Sequence, residues 1–142
     1  MNNYKVIFYN TETKNLFNVS TILDFYNKAD WWGEKSDDDL IYIKKIMEKS
    51  FLFAGFFVDD KLSGMGRVIG DGVSDLYIQD IFISEVFRKR GFGSILIEEI
   101  IREIKKRGDF WVALIGEPGT ENFYSKLGFN KMKNYIPMFL KQ

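Results

Sequence analysis

The chain shows two repeating patterns of apolar and polar residues, one with the period of a helix and one typical of strands. Apolar side chains recur at helical spacing in four segments, which predict helices at residues 18 or 20 to 28, 36–49, 91–107 and 117–128. Runs rich in β-branched and aromatic residues predict strands at residues 4–9, 51–58, 62–69, 75–83, 110–115, 129–133 and 136–140. The strand at 110–115 is expected to be buried beside the strand at 75–83, and the last two strands to form a terminal hairpin. Three consecutive strands joined by short turns, followed by alternating helices and strands, predict an α/β or α+β domain with a mixed sheet.

The clearest pattern lies in residues 75–108, where a strand is followed by a basic glycine turn and a long amphipathic helix. The turn reads Arg88-Lys89-Arg90-Gly91-Phe92-Gly93. The first backbone N–H groups of a helix have no partner inside it, so they attract anions, and glycine lets a ligand approach the backbone closely. The turn therefore predicts a diphosphate site at the start of the helix. The turn taken alone is equally consistent with a solvated connection that carries surface charges.

The composition excludes several kinds of chemistry. The chain has 142 residues, of which 46% are hydrophobic and 17% aromatic, and we expect one domain spanning residues 1–142. It contains no Cys and no His, which removes thiolate nucleophiles, imidazole bases and the commonest metal ligands. Catalysis must therefore use carboxylates, Tyr, Lys, backbone groups or water, and we expect no metal.

Charge and hydropathy bear on partners and location. The 20 basic and 20 acidic residues cancel, so the net charge gives no support for a nucleic-acid partner. The sequence shows neither a secretion signal nor an apolar run of membrane-spanning length. The expectation is a cytoplasmic protein that binds neither membrane nor nucleic acid.

Three motifs resemble those of the GCN5-related N-acetyltransferase (GNAT) family. The R-x-x-G-x-G turn at 88–93 is similar to that family's pyrophosphate loop, YIQDIFI at 77–83 to its central strand, and ENFYSKLGF at 121–129 to a run near its C-terminus. The likeness extends from about residue 50 onward and, more loosely, over the helices before it. It implies a mixed, mostly antiparallel sheet flanked by helices, in which the central strand bulges and splays from the strand at 110–115.

The resemblance implies direct transfer of an acetyl group from acetyl-coenzyme A (acetyl-CoA) to a primary amine, with a small molecule as the expected acceptor. Backbone groups of Ile81, Phe82 and Ile83 are implied to contact the pantetheine arm and to polarise the thioester carbonyl, as an oxyanion hole does. Further acetyl-CoA contacts are implied for a set of loop and helix residues: Arg88, Lys89, Arg90, Gly91, Phe92, Gly93, Ser94, Phe123 and Tyr124.

Catalytic and acceptor residues follow from the same resemblance and from local chemistry. Tyr124 matches the family tyrosine that protonates the departing thiolate. Asp80 stands in an apolar strand, where a bulge would re-aim it; it is a candidate general base and acceptor contact, and a purely structural role fits equally well. Trp31 is expected to contact the acceptor and Trp32 to pack. Four further carboxylates could attract a cationic amine: Asp30, Glu34, Asp71 and Glu117.

Other functions stay open at this point. The chain could be an acyl-CoA sensor without catalysis, an acetyltransferase of proteins, or a module that binds another phosphate ligand. A homodimer is consistent with the family, although no residue pattern requires one.

Overall fold

The computed structural model describes residues 2–32 and 36–142, and a five-stranded sheet lies at its centre. The strands follow the chain in order: β1 (Tyr4–Phe8), β2 (Leu52–Val58), β3 (Lys61–Gly70), β4 (Asp75–Ile83) and β5 (Trp111–Leu114). Neighbours in the sheet are neighbours in the sequence. The pairs β1–β2, β2–β3 and β3–β4 are antiparallel, and only β4–β5 is parallel. The predicted mixed, mostly antiparallel sheet is confirmed.

Helices cover both faces of this sheet in the described part of the chain. They are α1 (Val19–Lys28), α2 (Asp39–Lys49), α3 (Phe92–Arg107) and α4 (Glu121–Ser125), with short 3-10 turns at Lys14–Leu16 and Glu85–Phe87. One face packs against α3 through its buried stripe of Leu96, Ile100 and Ile104. The other face packs against α1 and α2. Two helices are shorter than predicted: α2 begins at residue 39 and not at 36, and α4 covers 121–125 and not 117–128.

Two predictions for the C-terminal part of the chain are wrong. Residues 129–142 form no strand, so the predicted hairpin of 129–133 and 136–140 is not present in this structure. As a consequence β5 is an edge strand and not a buried one, and Trp111 is 49% exposed. Alternating apolar residues indicate a chain that can be extended, but they do not identify the strand with which it pairs.

A β-bulge interrupts the pairing of β3 with β4. Arg67 pairs with Gln79, but Met65 pairs with Phe82, so one residue of β3 lies opposite two residues of β4. The bulge falls at Asp80, whose φ of 57° is in the left-handed region.

The bulge exchanges the faces of the residues that follow it. Before it, Leu76 and Ile78 pack on the α3 side of the sheet. Beyond it, Ile83 packs on the α3 side, whereas Phe82 is buried against α1 and α2. Strict alternation would place Asp80 and Phe82 with Ile78, and the extra residue prevents this.

Candidate functional site

A cleft opens where β4 and β5 separate. Their parallel pairing runs from Asp75 and Trp111 to Ile78 and Leu114 and then ends. The cavity between the diverging chains has a volume of about 630 Å³, which is in the range of small-molecule sites. The expected splayed pair of central strands is therefore present.

The start of α3 forms one part of the cleft wall. Gly91 precedes the helix with φ of 80°, and no side chain caps the first turn. The N–H of Ile95 donates to the carbonyl of Gly91 at 3.2 Å. The N–H groups of residues 92–94 have no carbonyl acceptor within the helix, so their hydrogen-bond partners must lie outside it. A side-chain carbon added at Gly91 would meet nothing within 4 Å, so the backbone is accessible there.

The three cationic side chains of this loop lie differently. Arg88 Nε donates to the carbonyl of Ile83 at 2.8 Å, which ties the loop to the end of β4. Arg90 Nη1 donates to Asn2 Oδ1 at 3.1 Å and does not line the cavity. Lys89 lines the cavity, as does Arg88. The backbone amides, Arg88 and Lys89 are thus the groups that a phosphate in the cleft can reach.

Asp80 is held by two donors on one of its oxygens. The Tyr26 hydroxyl donates to Asp80 Oδ2 at 2.7 Å, and Arg67 Nε donates to the same atom at 2.6 Å. The Asp80 and Arg67 side chains are 19% and 21% exposed. Oδ1 accepts no hydrogen bond from residues 2–32 or 36–142. Asp80 lines the cavity, and its carboxylate is therefore both fixed in place and able to accept a further bond.

Sequence reasoning missed Tyr26 and Arg67. Burial raises the pKa of the Tyr26 phenol well above its ordinary value, and the negative charge of Asp80 raises it further, so the hydroxyl remains a donor. A charged residue in the interior of each of two neighbouring strands, away from the strand ends, is a signal that could have paired Arg67 with Asp80. Tyr26 looked like one more member of the apolar stripe of α1.

Tyr124 reaches the cavity from α4. Its ring packs edge-on against Phe123 and Phe129, with centroid separations of 5.0 and 5.9 Å. Burial raises the pKa of the Tyr124 phenol above 10.0, and the charge of Glu117 raises it further. The hydroxyl is therefore protonated at neutral pH, which a proton or hydrogen-bond donor requires.

Trp31 joins the two sides of the cleft. Its Nε1 donates to Glu117 Oε1 at 3.1 Å, so the segment after α1 is tied to the segment after β5. Trp31 and Glu117 both line the cavity. Trp32 does not line it, and packs instead between Tyr26 and Tyr42 at centroid distances of 5.5 and 5.2 Å.

The structure separates the predicted site residues into two groups. All but two of the predicted acetyl-CoA contacts line the cavity, and the exceptions are Phe82 and Arg90. Phe82 is buried against Phe25 of α1, with 5.0 Å between ring centroids, because the bulge turned it to that face. Lining residues that the sequence did not single out include Gln79, Leu114 and Thr120.

The remaining candidate carboxylates are distributed unevenly. Asp71 accepts hydrogen bonds from the N–H groups of Val73 and Ser74, which lower its pKa, and it does not line the cavity. Asp30 also lies outside the lining. Glu34 is outside the described residues.

Two findings concern metals and membranes. Within residues 2–32 and 36–142, no three His, Cys, Asp or Glu side chains are grouped so that they could hold a metal ion. None of the helices described combines the length and the apolar character needed to cross a bilayer.

A family model described as the acetyltransferase (GNAT) family matches residues 13–129. The chain belongs to the GNAT acetyltransferase family. An uncharacterised N-acetyltransferase from Prochlorococcus marinus is 32% identical over 91 residues, which cover 61% of this chain and 51% of that protein. An L-ornithine N5-acetyltransferase from Arabidopsis thaliana is 31% identical over 62 residues, covering 42% of this chain and 27% of that protein. The chain spans about half the length, or less, of these relatives. That residues 1–142 form a single domain stays a prediction.

A solved structure extends the likeness to the whole fold. It is a probable acetyltransferase from methicillin-resistant Staphylococcus aureus, with a TM-score of 0.78 and 24% identity, and the match covers 98% of this chain and 99% of that chain. The likeness shows that the two share a fold.

Proposed function

We propose that this chain is an acetyl-CoA-dependent N-acetyltransferase that transfers the acetyl group directly to the primary amine of a small molecule. The observation that carries the proposal is the distribution of charge in the cleft. Arg88, Lys89 and the amides that begin α3 lie beyond the end of β4, whereas two carboxylates line the cavity elsewhere, Asp80 at the bulge and Glu117 after β5. A diphosphate is attracted to the first group, and a cationic amine to the second.

The residues of the cleft fit acetyl-CoA. The amides of residues 92–94 and Lys89 would hold its diphosphate, and the edge of β4 at residues 79–83, which no longer pairs with β5, would face its pantetheine arm. Acetyl-CoA supplies the acetyl group activated as a thioester. Backbone N–H groups on this edge are fixed donors, so they can stabilise negative charge that develops on the carbonyl oxygen.

The acceptor amine is protonated at neutral pH and must lose a proton before it attacks. Oδ1 of Asp80 is placed to accept a hydrogen bond from the ammonium. Asp80 then takes a proton from the ammonium, either directly or through a water molecule. The new C–N bond then forms as the C–S bond breaks. Tyr124 donates its proton to the departing thiolate, and the nitrogen loses its second proton to water, from which the phenol regains one.

Direct transfer is supported by the composition of the chain. An acetyl-cysteine intermediate needs a thiol, and the sequence has no Cys. A small cationic acceptor is supported by the two carboxylates in the cleft and by the similarity to an L-ornithine N5-acetyltransferase. A net charge of zero gives no support for an acceptor bound to nucleic acid.

The test has two parts. Acetyl-CoA at 100 times its dissociation constant should stabilise the fold by about 2.7 kcal/mol, which raises the melting temperature of a chain of this size by roughly 8–10 °C. A panel of small amines, amino acids and peptides is then screened for amine-dependent release of free thiol. Release with at least one small amine is the expected result. Binding without release across the panel would favour the acyl-CoA sensor, release with peptides alone would favour a protein acceptor, and no stabilisation would favour another phosphate ligand.

The role of Asp80 is tested separately by the pH dependence of the rate of the Asp80→Asn variant. If Asp80 is the base, the variant should lose the ascending limb of the profile. If the limb is unaltered and only the KM for the amine rises, Asp80 positions the amine and water takes the proton.

A further inference from the structure

The guanidinium group of Arg88 is held at the end of β4 by two contacts. Its Nε donates to the carbonyl of Ile83 at 2.8 Å, and its Cζ lies 5.2 Å from the centroid of the Phe82 ring. A guanidinium that faces an aromatic ring and donates one hydrogen bond to the backbone is fixed in both position and direction. The last two residues of β4 therefore determine where this positive charge lies.

The ring that Arg88 contacts lies on the same face of the sheet as the Asp80 carboxylate. The bulge turns Phe82 to the face covered by α1 and α2, whereas α3 covers the opposite face. Trp31, which lines the cavity, packs edge-on against the Phe82 ring with 6.5 Å between centroids. The Asp80 carboxylate accepts its hydrogen bond from Tyr26 of α1 on this face. Arg88 thus lies beside the groups proposed to bind the acceptor, although its loop leads into α3.

Two nitrogens of the Arg88 guanidinium are available to a ligand in the cavity, which Arg88 lines. Nε is occupied by the carbonyl of Ile83, and within residues 2–32 and 36–142 neither Nη atom donates a hydrogen bond or joins an ion pair. The two Nη groups form a planar fork that matches the two oxygens of a carboxylate. One guanidinium balances the charge of one carboxylate, whereas a phosphate monoester carries about −1.5 to −2 at neutral pH. A carboxylate is therefore the favoured anion.

We propose that the acceptor carries a carboxylate as well as its reacting amine, and that Arg88 binds this carboxylate; this rests on the proposed function, acetyl transfer to a small amine. The acceptor is then an amino acid or another amino carboxylate. Its ammonium lies at Oδ1 of Asp80 and its carboxylate at the Nη groups of Arg88, so each charge of the acceptor meets the opposite charge. The amides of residues 92–94 and Lys89 remain for the diphosphate of acetyl-CoA. Arg88 is accordingly a residue that determines specificity for the acceptor.

The first test compares amino acids with their carboxamides, which have nearly the same size and lack the negative charge. The panel includes α-amino acids, β-alanine and γ-aminobutyrate, because the distance between amine and carboxylate differs among them. The quantity measured is the ratio of kcat/KM for the acid to kcat/KM for its carboxamide. Comparing this ratio between protein variants at one pH cancels the intrinsic difference in reactivity of the two amines.

For at least one pair we expect the acid-to-carboxamide ratio to fall by about ten-fold or more in the Arg88→Met variant. Arg88→Lys should restore part of the ratio, because lysine keeps the charge but not the planar fork. Arg90→Met is the matched control. Arg90 belongs to the same loop, but it donates to Asn2 and does not line the cavity, so this variant should keep the wild-type ratio.

The second test separates this role from binding of the diphosphate. The dissociation constant of acetyl-CoA is measured by calorimetry for the wild-type chain and for Arg88→Met, and we expect the two values to agree within about two-fold. Such agreement also shows that the variant is folded. If Arg88 binds the diphosphate instead, the affinity for acetyl-CoA should fall by about ten-fold or more and the acid-to-carboxamide ratio should stay the same.

Two results would overturn the role of Arg88 and leave acetyl transfer intact. One is an unchanged acid-to-carboxamide ratio in Arg88→Met for every pair. The other is a preference for O-phosphoethanolamine over ethanolamine that is lost in Arg88→Met while no acid is preferred, because the bound anion would then be a phosphate. If no amine in the panel releases free thiol from acetyl-CoA, acetyl transfer to a small amine is itself wrong, and the role of Arg88 is wrong with it.

Discussion

Replacing Tyr26 by Phe should weaken the fold by removing one hydrogen bond to Asp80. Tyr26 is 3% exposed, and its hydroxyl donates to Asp80 Oδ2 at 2.7 Å. Phe keeps the aromatic ring and its packing against Trp32, whose centroid is 5.5 Å away. The variant therefore changes the bond and leaves the shape of the core unchanged.

The size of the effect follows from the charge and exposure of the acceptor. A hydrogen bond to a charged group contributes about 1.5–3 kcal/mol. Asp80 keeps its ion pair with Arg67, and its side chain is 19% exposed, so water replaces part of the lost bond. We therefore expect a loss near the low end, about 1.5–2 kcal/mol. For a chain of this size the melting temperature should fall by roughly 5–7 °C.

Urea unfolding at neutral pH measures this loss, and Tyr42→Phe is the control. Tyr42 is 58% exposed, so the control should change the free energy of unfolding by less than about 0.5 kcal/mol. In an Asp80→Asn background the effect of Tyr26→Phe should shrink, because the charged acceptor is gone. If Tyr26→Phe is as stable as the control, or if its loss is undiminished in the Asp80→Asn background, the hydroxyl does not hold Asp80.

Three other variants or conditions probe the cleft and the buried phenols. Tyr124→Phe should lower turnover about ten-fold or more and leave the dissociation constant of acetyl-CoA nearly unchanged; equal turnover in both proteins would reject the donor role. Gly93→Val should weaken acetyl-CoA binding by about ten-fold or more in a calorimetric titration. The reason is that a Cβ at this position would lie only 3.3 Å from the Phe123 ring, beside the helix amides. Unchanged affinity would mean that the diphosphate binds elsewhere. Raising the pH above about 10 should destabilise the fold, because the pKa of buried Tyr26 is raised and the unfolded chain loses that proton first. The unfolding free energy should then fall by up to about 1.4 kcal/mol per pH unit for this group, and Tyr26→Phe should show a correspondingly shallower fall in urea titrations from pH 8 to 11.

The sequence predicts the elements well where one face of a segment packs on the sheet. The helix predicted at 91–107 corresponds to α3. The spacing of Leu96 and Ile100 places both side chains on one buried face only if the segment is helical. The phosphate-loop prediction likewise depends on a local feature, the helix start after Gly91, where no side chain caps the first turn.

Relations between distant segments are what the sequence could not supply. Tyr26 and Arg67 lie 54 and 13 residues from Asp80 in the sequence, and no local pattern around any of the three residues indicates that they contact one another. Strict alternation alone would put Phe82 on the same face as Ile78, and the structure places it on the other face because the bulge at Asp80 lies between them. The apolar alternation at 136–140 predicts a hairpin with 129–133, but alternation alone does not specify a partner strand, and residues 129–142 form no strand.

The bulge at Asp80 is the structural feature on which the cleft in this sheet depends. An extra residue in β4 increases the local twist, and pairing with β5 ends at Ile78, two residues before the bulge. The same residue turns the Asp80 carboxylate toward Tyr26 and Arg67 at the cleft, and returns Ile83 to the face that packs on α3. A regular strand would keep β4 and β5 paired and would direct Asp80 into the apolar layer beneath α3, where an unpaired charge is strongly unfavourable. The cleft, the fixed carboxylate and the intact core therefore depend on one irregularity, which is why the left-handed backbone at this non-glycine residue is maintained.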